Sequence, residues 1–301
     1  MKRQTKDKLV FWLFLSPALI SFIIVVIIPF FMGIYYSMTD WQAVPGVKVN
    51  WLGLENYKNM FSDIKFQYSL IRTFIFTLLS VISINVVALI FAFLVTREIK
   101  FRNFFRAGFF VPNLIGGLVL GYIWQFIFKS VVPQIGGSLG IDFIENLLVL
   151  ANPDLTLIGL ITAYTWQYAG YIMMIYVAAL LNVPQELLEA SEIDGANAWQ
   201  KFKSITMPMI AQAFTITSFL TLVTSFKQYD IIVALTNGGP TDIFKGTVVN
   251  STELLAVHIY NVAFKYNNMA EGQARAVIFF LILSVVSIAQ VYNNKKKEIE
   301  M

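Results

Sequence analysis

Apolar segments long enough to cross a bilayer restrict the fold of this chain more than any other feature. A helix needs about 20 mostly apolar residues to cross the hydrocarbon core. Six segments meet or approach that length, at residues 9–36, 70–95, 105–128, 155–181, 209–235 and 274–291. The first is too long for a signal-peptide core, and no small-residue cleavage site follows it, so we interpret it as a retained span. The sequence predicts an all-α integral membrane protein, with six transmembrane helices in one domain over residues 1–301.

The composition excludes several other classes of protein. Charged residues make up 13% of the chain, against about 25% in a typical soluble domain. Cysteine is absent and His258 is the only histidine, which excludes disulfides, iron–sulfur clusters and multi-histidine metal sites. The net charge of +4 does not indicate nucleic acid, because the basic residues cluster beside the apolar segments, where membrane topology explains them.

The basic residues predict the orientation of the spans. Short basic clusters lie before the first span, after the second, after the fourth and after the sixth, where Lys295, Lys296 and Lys297 follow one another. By the positive-inside rule these segments are cytoplasmic. We therefore expect a multi-pass protein of the bacterial cytoplasmic membrane, with both termini and the loop at 184–208 in the cytoplasm. His258 falls in the last external loop, where we expect it at the surface.

The loop at 184–208 is rich in acidic and helix-forming residues. Pro184 cannot continue the preceding helix, and Gln185–Ile193 contains good helix formers. Gly195 can adopt the left-handed conformation that ends a helix, and apolar residues then recur at every third position from Trp199. The pattern predicts two short helices joined by a turn and lying against the membrane. An amphipathic hairpin with solvated charges, or a DNA-binding helix-turn-helix, would have the same pattern.

Motifs for covalent chemistry or nucleotide binding are absent from the sequence. It contains no G-x-x-x-x-G-K-[ST], no G-x-S-x-G and no H-E-x-x-H. The spans are almost free of acidic and basic residues, which argues against a proton relay. The chain therefore takes energy from another protein, or it conducts passively as a channel or secondary carrier. A membrane-bound enzyme is the least favoured alternative.

Three groups of residues in the loop resemble the EAA signature of ATP-binding-cassette (ABC) importer permeases. They are Glu189-Ala190-Ser191, Asp194-Gly195-Ala196 and Ile205-x-x-Pro208, with Ser191 in place of an alanine and Met207 in place of a leucine. The resemblance implies that the loop forms coupling helices that insert into a groove on a separate ATPase. Glu189 would supply the polar docking contact, Gly195 the tight turn, and Ala190 and Ala196 the close approach of backbones. ATP and Mg²⁺ would bind to that ATPase, and this chain would carry no cofactor.

Other stretches narrow the resemblance to sugar importers. Ser16–Trp41 with Trp51–Phe61, then Phe109–Trp124, and finally Leu235–Asp242 with Ile259–Phe264 resemble carbohydrate-uptake permeases of the maltose-permease F-subunit type. The resemblance implies a compact type I importer permease that works by alternating access. Its partners would be a second homologous permease, an ABC ATPase dimer, an extracellular or periplasmic solute-binding protein, the sugar and membrane lipid, with no nucleic acid.

The same resemblance implies where sugar would bind. Matching the maltose permease through its EAA and NGGP motifs places contact positions at Asn113, Gly117, Tyr164, Tyr168, Thr221 and Ser225, with Gln228 and Tyr229 adjacent. Aromatic faces, hydroxyls and amides suit a neutral glycan, although helix packing would explain the same residue types. Lys227 and Asp230 are predicted to form an i,i+3 ion pair. If Lys227 instead faces the pathway, a phosphorylated or acidic sugar, such as glycerol phosphate, is the alternative substrate.

Overall fold

The computed structural model of the chain describes the backbone of residues 2–295 and the side chains of residue 8 and residues 10–294. Lys296 and Lys297, which belong to the predicted C-terminal basic cluster, lie outside the described residues. The described part is mainly helical. Its helices, in chain order, are α1 (Lys2–Phe22, a π turn at Ile23–Ile27, and Ile28–Tyr36), α2 (Glu55–Ser62), α3 (Ile64–Thr96), α4 (Arg102–Leu114), α5 (Gly117–Phe126, a π turn at Ile127–Val131, and Val132–Leu139), α6 (Asp142–Glu145), α7 (Pro153–Leu181), α8 (Gln185–Ile193), α9 (Ala198–Lys201, a π turn at Phe202–Thr206, and Met207–Met209), α10 (Ala211–Phe226), α11 (Asp230–Thr236), α12 (Leu255–Tyr260 and a π turn at Asn261–Lys265) and α13 (Met269–Lys295).

Up to six spans can be built from these helices. Four helices are long and apolar enough by themselves, at Val10–Tyr36, Ile64–Thr96, Gly117–Leu139 and Met269–Asn294. Two further spans are counted if each of two bent pairs is taken as one span: α7 with α8, which are bent by 68°, and α9 with α10, which are bent by 70°. The loop predicted at 184–208 lies between these two bends, so α8 and α9 both turn away from the long helices that flank them.

Two of the predicted spans are interrupted in the structure. The segment 105–128 divides into α4 and α5, because Pro112 disturbs the last turn of α4 and Gly116 takes an extended conformation with ψ 142°. The segment 209–235 divides into α10 and α11, which are separated by residues 227–229. Each interruption frees backbone polar groups within the apolar region, which membrane proteins tolerate only where other protein groups or a cavity can satisfy them.

Three π-helical turns share a local cause. The turns at 23–27, 127–131 and 202–206 each end two residues before a proline, namely Pro29, Pro133 and Pro208. A proline inside a helix lacks the N–H donor and collides with the carbonyl four residues earlier. Widening the preceding turn relieves that collision and lets the helix continue.

The chain forms two compact units, one containing residues up to Asp63 with Ile259–Phe280, the other Ile64–His258 with the residues from Leu281 onward. In the first unit, the buried guanidinium of Arg275 donates hydrogen bonds to the carboxylates of Asp63 (2.9 Å) and Glu271 (3.0 Å). In the second unit, α3 and α7 form the centre of the core, and α4, α5, α10 and α11 pack around them. The second unit contains all the predicted coupling and sugar-pathway residues.

Two features of the segment after α11, which was predicted to be external, differ from the expectations drawn from the sequence. The expectation of an all-α chain missed a hairpin of β1 (Thr241–Phe244) and β2 (Thr247–Asn250), which pair antiparallel. Lys245 and Gly246, with φ +49° and +77°, form its two-residue turn, and positive φ at both positions is what a type I′ hairpin turn requires. The expectation that His258 is a surface residue was wrong. His258 is 2% exposed, and its Nδ1 lies 3.1 Å from the carboxylate of Glu253.

Candidate functional site

The coupling segment, α8 and α9 with the turn between them, is ordered by its own local hydrogen bonds. Helix α8 begins directly after Pro184, as predicted. Gly195 has φ +77°, the left-handed conformation expected of it, and the next N–H, that of Ala196, donates to the carbonyl of Ser191 at 2.9 Å. Asn197 then caps α9 in a reciprocal capping box with Gln200. The turn is thus formed by the C-terminal cap of α8 and the N-terminal cap of α9. The hydrogen bonds of both caps lie within the segment itself.

An ion pair fixes the two helices of this segment to one another. Lys201 Nζ of α9 lies 2.6 Å from Glu192 Oε1 of α8. The predicted coupling residues Ser191, Asp194, Gly195 and Ala196 line a polar groove of 330 Å³ beside this pair. Ser191 itself faces inward, where its hydroxyl donates to the Leu188 carbonyl at 2.7 Å. The replacement of alanine by serine in the signature is therefore compensated within the helix.

The outer surface of the coupling segment is open to solvent. Glu189, Ala190, Asp194 and Gly195 are exposed. Two large apolar side chains join them, because Ile193 is 89% exposed and Trp199 is 66% exposed. In the described part of the chain, Glu189 forms no ion pair, in contrast to Glu192. Apolar side chains exposed together with a free carboxylate are typical of a surface that binds another protein.

Several predicted sugar-pathway residues lie together in the second unit. The rings of Tyr164 and Tyr168 on α7 are 4.6 Å apart. Tyr164 lies beside Ser225, and Tyr168 beside the carboxylate of Asp230. The hydroxyls of Tyr164 and Ser225 are both buried and have no hydrogen-bond partner among the described residues. A Cβ built on Gly117 would lie 2.9 Å from the Cβ of Asp230. Predicted pathway residues from α5, α7, α10 and the start of α11 therefore lie close together.

The remaining predicted pathway residues have different surroundings. Asn113 is half-buried in the last turn of α4, and Gln228 is buried between α10 and α11. Tyr229, with φ −131°, precedes the first residue of α11. The described residues contain no ion pair between Lys227 and Asp230, so that predicted pair was wrong; Lys227 is exposed at the end of α10. Because the helix stops at Phe226, the two residues do not share a helical face.

Thr221 belongs to a buried hydrogen-bond network that the sequence analysis missed. Its hydroxyl donates to the Thr217 carbonyl at 2.8 Å and accepts from Asn85 Nδ2 at 3.1 Å. The Tyr176 hydroxyl donates to Asn85 Oδ1 and accepts from the Thr217 hydroxyl, both at 2.8 Å. This Asn85 network joins α3, α7 and α10, and all its side chains are buried. Asn85 was the available signal, since a carboxamide in the middle of an apolar span is uncommon.

Glycines set the closest helix contacts around the pathway residues. A Cβ on Gly121 would lie 2.5 Å from that of Ala234, and a Cβ on Gly170 would overlap the Phe109 carbonyl. Gly117 and Gly121 are four residues apart on α5, as are Asp230 and Ala234 on α11. This is the small-xxx-small arrangement that lets membrane helices approach closely. Close packing against α11 is therefore a sufficient reason for a glycine at position 117, apart from its predicted place on the sugar pathway.

A mostly apolar cavity of 420 Å³ between α3, α4 and α7 lies apart from these residues. Its lining contains none of the predicted pathway positions, and consists of Ser83, Val87, Phe91, Gly108, Phe109, Pro112, Ile161, Thr162, Thr165, Trp166, Ala169 and Gly170. On α7 these residues occupy a different face from Tyr164 and Tyr168. The cavity is therefore not a part of the predicted sugar site.

Comparison with known proteins gives a consistent result. A family profile described as "Binding-protein-dependent transport system inner membrane component" matches residues 84–298. The probable starch degradation products transport system permease protein AmyD of Thermoanaerobacterium thermosulfurigenes is 45% identical over 98% of this chain and 97% of its own length. The multiple sugar-binding transport system permease protein MsmF of Streptococcus mutans is 32% identical over 99% of each chain.

Among solved structures, one chain of a bacterial alginate ABC transporter aligns with a TM-score of 0.78 over 96% of this chain and 94% of its own length. That transporter was solved in complex with a periplasmic protein carrying an alginate pentasaccharide. The sequence identity is 18%, so the similarity shows a shared fold.

Proposed function

The chain belongs to the family of binding-protein-dependent transport system inner membrane components, and from that premise we propose that it is the permease subunit through which an ABC importer takes up a neutral oligosaccharide. The single observation that carries the proposal is the 45% identity, over nearly the whole chain, to a probable permease for starch degradation products. The shared fold agrees with the type I importer permease fold that the sequence predicted.

The surroundings of the tyrosine pair support a neutral sugar. Tyr168, which is half-buried, offers an aromatic face of the kind that packs against sugar rings. Tyr164 beside it and the Ser225 hydroxyl are fully buried in this conformation and would reach a sugar only when the helices move apart. The carboxylate beside Tyr168, that of Asp230, can accept hydrogen bonds from sugar hydroxyls. The negative charge of the same carboxylate would repel a phosphate or a uronate. The cation–π contacts among the described residues are those of Arg72 with Tyr68 and Lys245 with Phe244, and neither involves Tyr164 or Tyr168; Lys227 is exposed at the end of α10.

The coupling segment supports an external source of energy. We propose that Glu189 and the exposed face around Ile193 dock on a partner ATPase, which binds ATP and Mg²⁺. A second, homologous permease completes the pathway, and a solute-binding protein delivers the sugar to the external side. ATP binding opens the pathway outward and hydrolysis returns it inward, with both termini of this chain in the cytoplasm.

Uptake of labelled compounds tests the substrate. Cells that lack this gene, and the same cells complemented with it, are given neutral maltooligosaccharides, acidic oligosaccharides and glycerol phosphate, with and without ATP depletion. We expect the gene to restore ATP-dependent uptake of a neutral oligosaccharide. Restoration confined to an anionic compound would refute the neutral-sugar assignment, and uptake that survives ATP depletion would refute the coupling role.

A pair of matched variants tests the coupling segment. Glu186 and Glu189 are exposed acids one turn apart on α8, and neither is ion-paired within the described residues. We expect Glu189→Gln to reduce uptake and the sugar-stimulated ATPase activity of the assembled transporter together, and Glu186→Gln to leave both near the wild-type level. Equal effects of the two substitutions would indicate a general loss of charge and would contradict a docking role for Glu189.

A further inference from the structure

A groove of 350 Å³ opens where two spans end on the same side of the second unit. One wall is the junction of α9 and α10, where Ala211 begins the long helix α10. The other wall includes Asn294, the last residue of the candidate span Met269–Asn294. A groove at two span ends lies at the level where the hydrocarbon core meets the lipid headgroups. Its lining consists of Lys203, Met207, Pro208, Ala211, Phe214, Thr215 and Asn294.

The rim of this groove is polar and basic. Lys203 is exposed there, and within the described part of the chain it has no ion-pair partner; the neighbouring Lys201 is already paired with Glu192. The amides of Asn294 lie at the same rim. The unpaired ammonium of Lys203 therefore favours an anionic group at the rim.

The interior of the groove is apolar. Its apolar lining includes Met207, Pro208 and Phe214, and Phe214 is 41% exposed although it is a large aromatic residue. The volume is within the range of about 300–1,000 Å³ that small-molecule sites occupy. A ligand that fits both parts needs an anionic group joined to an apolar chain, with the anion at headgroup level.

We propose that this groove binds an anionic phospholipid. Its phosphodiester pairs with the Lys203 ammonium, and an acyl chain lies along Met207, Pro208 and Phe214. Basic pockets between membrane helices on the cytoplasmic side bind anionic headgroups through the same combination of charge and shape. The aliphatic stem of Lys203 can pack on the acyl chain while its ammonium stays at the polar level. The lipid would then contact α9, the helix that leads from the coupling turn to α10.

Native mass spectrometry of the assembled transporter tests this site. The complex is titrated in detergent with phosphatidylglycerol and, separately, with phosphatidylcholine of identical acyl chains. We expect selective retention of phosphatidylglycerol. The Lys203→Gln variant should weaken that retention about fivefold, the ratio that corresponds to about 1 kcal/mol for one lysine near a membrane surface. Free glycerol phosphate should not compete at the same concentration, because it lacks the acyl chain.

Two further variants separate the groove from general surface charge. Lys100 is an exposed lysine in another loop predicted to be cytoplasmic, so Lys100→Gln should leave retention unchanged. Ala211→Leu narrows the groove without altering charge and should reduce retention. The proposal is overturned if phosphatidylcholine is retained equally, if Lys203→Gln and Lys100→Gln behave alike, or if the assembled transporter retains no lipid because a partner subunit covers the groove.

Discussion

Tyr176→Phe removes one hydroxyl from the Asn85 network and leaves the ring in place. In the wild type that hydroxyl donates to Asn85 Oδ1 and accepts from Thr217. In the variant, the Thr217 hydroxyl can still donate to the carbonyl of Phe214, which lies at 3.2 Å. The amide nitrogen of Asn85 keeps its bond to Thr221. The one group left without a partner is Asn85 Oδ1, in a side chain that is 6% exposed.

The expected cost follows from that single acceptor. Leaving a buried acceptor unsatisfied costs about 1–3 kcal/mol in soluble proteins. Hydrogen bonds between membrane helices contribute less, about 0.6 kcal/mol on average and up to about 1.7, because the unfolded chain in a membrane also finds partners. We therefore expect Tyr176→Phe to lower the free energy of unfolding by about 1–2 kcal/mol.

Reversible unfolding of the purified chain in mixed micelles measures this loss. Tyr171→Phe is the matched control, because Tyr171 is a half-buried tyrosine on the same helix and its hydroxyl has no hydrogen bond among the described residues. A double-mutant cycle of Tyr176→Phe with Asn85→Leu isolates the interaction free energy between the two side chains. A loss for Tyr176→Phe no larger than that for Tyr171→Phe, or a coupling of zero, would refute the network as a source of stability.

Two other predictions follow from local geometry. Gly170→Ala should lower the free energy of unfolding by about 1–3 kcal/mol in the same assay, since the new methyl overlaps the Phe109 carbonyl and forces α4 and α7 apart. Gly108→Ala is the control: nothing lies within 4 Å of its Cβ, so it should cause no loss and should stabilise slightly, because alanine is the better helix former. Asp40 accepts hydrogen bonds from the backbone and side chain of Asn50, which hold its pKa below the ordinary value. The ionised carboxylate of Asp40 therefore stabilises its loop at pH values above the pKa that Asp40 has in the unfolded chain. This stabilisation is lost as the pH falls through the lower pKa of the folded state. Asn50→Ala should raise the pKa of Asp40 in an NMR titration, and an unchanged pKa would contradict the assignment.

The features that sequence alone predicted well are those with local causes. Helix α8 begins after Pro184 because a proline cannot continue α7, and it ends near Gly195 because glycine accepts the left-handed conformation. The hairpin also has a local cause in Lys245-Gly246. It was missed because one lysine–glycine pair inside a long loop is a weak signal compared with asparagine–glycine.

The features that sequence could not predict depend on residues far apart in the chain. His258 is buried against the ring of Phe66, which comes from the start of α3, and no pattern around His258 reveals that contact. Likewise, the hydroxyl of Thr221 accepts a hydrogen bond from Asn85, which is 136 positions away in the sequence. A threonine in a span has the same local appearance whether it faces a pathway or another helix. The two roles separate only when the neighbouring helices are in place.

The position of the Asn85 network bears on how the proposed coupling would work. Helices α7 and α10 are the two long helices that the coupling segment joins, and the network ties both to α3. Apolar contacts alone hold membrane helices together weakly, because lipid solvates an apolar surface as well as another helix does. Directed hydrogen bonds therefore provide the specific attachment. The interruption at 227–229 lies beyond the network, on the side of Tyr164 and Tyr168. A displacement of α8 and α9 would reach α7 and α10 through the two bends that join them, and the network would carry it to α3. The break at 227–229 then separates this group of helices from α11, where the proposed sugar site begins.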